Sequence, residues 1–83
     1  MLYAKKFRPK IKVGLKGKEP HKVCIFGEWS VVTQVIEQWA MTGEWWRQEN
    51  KKMFWRLQLE GDRVMEIFQD LVTGDWWLYK IWD

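Results

Sequence analysis

Apolar and polar side chains alternate with a period of two along much of this chain, which is the pattern of strands buried on one face. In KIKVGLKGK, residues 10–18, Ile11, Val13 and Leu15 fall on one side and Lys10, Lys12 and Lys16 on the other. The following GKEP, Gly17 to Pro20, reads as a turn, because glycine opens positive φ and proline removes a ladder donor. HKVCIFG then makes a short apolar strand punctuated by Gly27 and Glu28. The clearest alternation is MFWRLQLEGD, with Met53, Trp55, Leu57 and Leu59 on one face and Phe54, Arg56, Gln58 and Glu60 on the other. Gly61 and Asp62 predict a tight hairpin after it.

Two runs fit both periods. WSVVTQVIEQW puts Val32, Val35, Ile36 and Trp39 at helical spacing, and RVMEIFQD does the same through Val64, Ile67, Phe68 and Leu71. Five of the six residues from Val31 to Ile36 are β-branched, stiff at χ1 and suited to a pleated surface, which predicts a strand. For RVMEIFQD the flanking turns, Gly61-Asp62 and Thr73-Gly74-Asp75, leave room for a strand of about eight residues. The final run, WWLYKIWD, sets Trp77, Tyr79 and Ile81 on one face and Trp76, Leu78, Lys80 and Trp82 on the other. A polar connection, AMTGEWWRQENKK, holds the pair Trp45 and Trp46.

Six short strands at roughly ten-residue spacing predict an all-β fold, a small antiparallel SH3-like barrel or curled sheet. Eighty-three residues close one core, so 1–83 reads as a single domain, with residues 1–9 as a basic N-terminal arm. The chain carries 36 large apolar or aromatic side chains, eight of them Trp. A core of this size encloses roughly 20, so some rings are expected to stay outside and form a contact surface.

Charge is unevenly spread. Residues 1–22 hold eight Lys or Arg against one acid, Glu19, whereas residues 23–83 hold six bases against ten acids. A cationic strip of that kind suits a phosphate backbone, and it also protects an exposed edge strand. Lys5, Lys6, Arg8, Lys10 and Lys12, with Arg47, are the candidates for nucleic-acid contact. Cys24, flanked by Val23, Ile25 and Phe26, reads as a buried thiol. One cysteine, no long apolar run and no signal-peptide core lead us to expect a cytoplasmic protein without membrane association.

Nothing in the sequence converges on catalysis, and no enzyme activity is expected. His21 has no second histidine at metal spacing, no zinc pattern or phosphate-cradling glycine loop is present, and His21 and Cys24 point to opposite faces of a strand. Glu60, Asp62, Glu66, Asp70 and Asp75 read as a solvated face. No metal or other cofactor is expected. Recognition by surface remains: aromatic rings beside Lys and Arg dock peptides in grooves or stack on single-stranded bases. Trp45, Trp46, Phe54, Arg56, Trp76 and Trp82 are the expected protein-partner contacts, and self-association through exposed rings is a third use.

The order GEWWR (43–47), MFWRLQLEGD (53–62), VMEIFQD (64–70) and TGDWWLYKIWD (73–83) resembles a small uncharacterised bacterial domain found beside or downstream of Y-family DNA polymerases. It is similar also to the C-terminal region of the inactive polymerase-like subunit of the bacterial inducible-mutagenesis cassette. The basic strand, Pro-containing turn and Val-rich strand of residues 10–39 follow the same order, so the resemblance spans about residues 10–83. It marks Trp45, Trp46, Phe54, Trp55, Arg56, Trp77 and Tyr79 as signature positions and assigns chemistry to none. It implies a non-catalytic accessory or adaptor protein, linked to translesion synthesis or the DNA-damage response, whose partner is a DNA polymerase or repair component. With no polymerase-like portion in these residues, a direct part in DNA synthesis is not expected.

Overall fold

The structure, a computed structural model, describes residues 9–41 and 50–82. Lys5, Lys6, Arg8, Trp45, Trp46, Arg47 and Asp83 therefore lie outside the described residues. Among those described, the strands are β1 (Lys10–Lys16), β2 (Glu19–Ile25), β3 (Glu28–Met41), β4 (Lys52–Leu59), β5 (Arg63–Asp70) and β6 (Trp76–Trp82). Each pairs antiparallel with the next, and β1 pairs with β6 to close a six-stranded barrel, the predicted fold class. Closure runs through Lys10–Trp77 and Ile11–Trp76, with the Leu78 N–H donating to the Pro9 carbonyl at 2.9 Å.

Both runs with a helical rival are strands, and β3 shows where the false periodicity came from. Its first residues pair with β2 through Glu28–Val31, and from Val32 onward it pairs with β4. The β4 register skips Thr33 and Ile36. Each skipped residue is a bulge, an extra residue that resets the alternation of faces. Val32, Val35 and Gln38 thereby reach the same side at three-residue spacing, opposite Leu59, Leu57 and Trp55. Two bulges in one strand imitate a helix in the sequence.

A third bulge decides the end of the chain. Glu66 pairs with Lys80 while Ile67 pairs with Leu78, so Tyr79 is the extra residue. Before it, Trp76 and Leu78 face the interior. After it, Ile81 lies opposite the interior Met65, and Trp82 lies opposite Val64 on the outside. Strict alternation would have set Trp76 and Trp82 on one face. The bulge separates them.

The core consists of Ile11, Val23, Trp55, Leu57, Leu59, Met65, Ile67, Trp76 and Leu78. Apolar area leaving water is the main favourable term, and Leu57, Ile67 and Val23 reach complete burial. Trp76, expected at a partner surface, belongs here instead, because its register partner Ile11 on β1 points inward. The predicted turn at Gly17–Pro20 is also shorter than expected. Glu19 and Pro20 start β2, and Pro20 is buried opposite Leu15, next to the bulge at His21, a position in a sheet that tolerates proline. Cys24 is half-buried rather than buried, since it lies on the outer side between Lys12 and Trp29.

Asp70 ends β5 by organising the turn into β6. Its Oδ1 accepts from the N–H groups of Val72 and Thr73 at 2.9 and 3.2 Å, and its Oδ2 accepts from Asn50 Nδ2 at 2.8 Å. These bonds favour the ionised form. The Asn50 bond above all, helped by the two N–H groups and the nearby Lys52 charge, holds the Asp70 carboxyl below the usual aspartate range against the opposing effect of burial.

Candidate binding surfaces

Cross-strand partners share a face of the sheet, so the register sorts the outer side chains into rows. One row is aromatic from end to end: Trp39 on β3, Phe54 on β4, Phe68 on β5 and Trp77 on β6. Trp39 stacks on Phe54 with centroids 5.4 Å apart and planes 9° from parallel. Phe54 also meets Phe68 at 5.1 Å and the edge of Tyr79 at 5.0 Å. Such contacts add about 0.5–1.5 kcal/mol per pair beyond area burial. Phe54 and Phe68 are 5% and 7% exposed although they point away from the barrel interior. Phe54, expected to touch a partner, is thus a support beneath the surface, and the accessible rings of this region are the half-buried Trp39, Trp77 and Tyr79.

The next row is charged and alternates in sign: Glu37, Arg56, Glu66 and Lys80. Arg56 Nε donates to Glu66 Oε2 at 2.8 Å, its Nη1 pairs with Glu37, and its guanidinium lies 5.9 Å from the Trp39 ring centroid. The bond to Glu66 foremost, with the fields of Glu37 and Glu66, raises the affinity of Arg56 for its proton against the opposing effect of burial. Glu66 is 3% exposed, which corrects its placement on a solvated face. Arg56 is correspondingly tied to two carboxylates of its own chain, with its side chain 36% exposed. The signal for this pair is in the sequence, since counting residues outward from the Gly61 hairpin sets Arg56 against Glu66.

Trp82 is the expected contact residue that the structure does leave outside, 48% exposed. Its ring lies 5.7 Å from the Lys80 ammonium, which is also 5.3 Å from the Tyr79 ring. Trp77, Tyr79, Lys80 and Trp82 therefore form one outer edge of β6, continuous with Val64 across the ladder.

The outer side of β1, β2 and the start of β3 is different in kind. Lys10, Lys12 and Lys16 project from alternate positions, all exposed, and Lys10 pairs with Asp75 at 3.3 Å. Lys12, Cys24 and Trp29 make one cross-strand row, and Gly14, Lys22 and Val31 the next. The Lys22 ammonium sits 5.0 Å from the ring centroid of Trp29, itself 50% exposed. A Cβ at position 14 would stand 2.8 Å from two carbons of Lys22, so the absence of a side chain there gives the lysine its path. Sequence reasoning did not single out Trp29.

Among the described residues no group of three His, Cys, Asp or Glu side chains is placed to hold a metal ion, and no helix is long and apolar enough to cross a membrane. Comparison with protein-family models, with curated proteins and with solved structures returned no match.

Proposed function

We propose that this barrel is a non-catalytic adaptor that docks a protein partner on the outer edge of β6. The observation that carries this reading is the bulge at Tyr79, which re-aims Trp82 from the interior to the outside and so brings Trp77, Tyr79 and Trp82 to one surface. Bulges commonly re-aim a side chain at functional positions. Trp and Tyr dominate interface energetics, and here Tyr79 rests edge-on against the buried Phe54 and Phe68, which hold it in place before binding. The link to translesion synthesis comes from the resemblance of the motifs, and it makes a Y-family DNA polymerase the first partner to test. Titration of the purified polymerase, followed by tryptophan fluorescence, should show binding that Trp82→Ala weakens about 30-fold, the loss of one anchoring side chain worth about 2 kcal/mol. Unchanged affinity in that variant would remove the β6 edge from consideration.

A second reading, single-stranded nucleic acid, is favoured by the Lys22–Trp29 arrangement on the other face, where a base can stack on the ring while Lys12 and Lys16 neutralise phosphates. Salt separates the two. Phosphate neutralisation gives an affinity that falls steeply with ionic strength, and an apolar protein interface gives a shallow dependence.

A further inference from the structure

The barrel has a mouth where the β2–β3 hairpin, the β4–β5 hairpin and the end of β6 meet. A cavity of about 140 Å³ opens there, with Ile25, Leu59, Met65 and Ile81 as its apolar wall. An engineered apolar cavity of roughly 150 Å³ accepts a benzene ring, so the mouth is the size of one phenyl group. Phe26, at the tip of the β2–β3 hairpin, also lines this cavity and yet is 80% exposed. Ile25 pairs with Glu28, leaving Phe26 and Gly27 as a two-residue turn with φ of 53° and 84°. Turns with positive φ at both positions favour Asn-Gly, and a bulky aromatic in the first place is an outlier. The turn itself has no use for the ring, which stays largely in water while lining an opening of its own size.

We infer that the mouth is a self-complementary interface in which Phe26 of each copy enters the cavity of a second copy of this chain. A two-fold interface requires the projection and its receptor to lie in one patch, so that each copy gives and receives the same contact. Phe26 and the cavity satisfy that requirement. The charges satisfy it too: Glu28 and Arg63 both line the mouth, with opposite signs and no ion pair to one another among the described residues. Arg63 is held by Ser30, whose Oγ accepts from Nη2 at 2.8 Å. Across a two-fold axis, Glu28 of one copy faces Arg63 of the other. The mouth adjoins the proposed docking edge through Val64, but the contacts that define it, Phe26, Glu28 and Arg63, do not belong to that edge.

Sedimentation equilibrium of the full chain tests this directly. The wild type should sediment as a dimer in reversible exchange with monomer. Phe26→Asn should raise the dissociation constant about 30-fold, while the unfolding midpoint, measured dilute enough that both proteins are monomeric, should be equal or higher because Asn suits the turn better than Phe. Glu28→Arg and Arg63→Glu should each weaken the dimer, and an equimolar mixture of those two variants should recover part of the affinity. A wild type that stays monomeric at about 1 mM, a dimer that survives Phe26→Asn, or open-ended assemblies instead of dimers would each overturn the inference.

Discussion

β4 and β5 are buried on both faces, whereas β1 and β2 are buried on one. In β5 the four consecutive residues Met65 to Phe68 are all buried, Met65 and Ile67 by the core and Glu66 and Phe68 by the outer rows. In β1 only Ile11 is buried, and every outward side chain from Lys10 to Lys16 that carries a charge is exposed. The same barrel wall is a two-layered sandwich on one side and a single layer in water on the other. The difference teaches how a small chain accommodates so many rings: part of the aromatic content builds a second layer outside the barrel. Phe26, Trp29 and Trp82 are the rings left substantially exposed among the described residues.

Perturbing the two regions should therefore have unequal effects. The largest is expected in the shared core of the double layer, where Leu57→Ala should cost about 2–5 kcal/mol by chemical denaturation. Arg56→Met comes next, since it strands the buried Glu66 carboxylate. The double variant Arg56→Met/Glu66→Met should recover much of the lost stability, because a buried ion pair is dispensable as a pair and damaging when halved. A double variant as unstable as the single one would show that Glu66 has another partner. Trp39→Ala should remove the stacking on Phe54 and cost at least about 0.5–1.5 kcal/mol. On the single-layered side, Lys12→Ala should stay within about 0.5 kcal/mol of wild type.

Acid sharpens the contrast from another direction. The Asp70 carboxyl titrates below its ordinary value in the folded protein, so its contribution is fully present above the unfolded aspartate pKa of about 3.9. It is lost as pH falls through the lower folded value. Asp70→Asn should thus lie below wild type in unfolding midpoint near neutral pH, and the gap should narrow in more acidic solution.

Much of this architecture was legible in the residues. The strands and the inner face of β4 follow from alternation, and β-branched density with turn residues resolved both runs that also fitted a helix. What alternation does not reveal is a bulge, because one extra residue changes which face every later side chain occupies. That is why strict alternation puts Trp76 and Trp82 on one face and why Val32 and Val35 mimic a helical stripe. Outer burial was hidden for a related reason. Phe54 and Glu66 occupy positions that point away from the barrel, and only the cross-strand rows show that Trp39, Tyr79 and Arg56 cover them.

One titration compares the two outer surfaces within a single assay: binding of a purified Y-family polymerase by wild type, Trp82→Ala and the pair Lys12→Glu/Lys22→Glu. Docking on the β6 edge predicts that Trp82→Ala loses about 30-fold in affinity, that the lysine variant binds as wild type does, and that added salt changes little. Retained binding in Trp82→Ala together with its loss in the lysine variant would contradict the account and move the working surface to the basic side of the barrel.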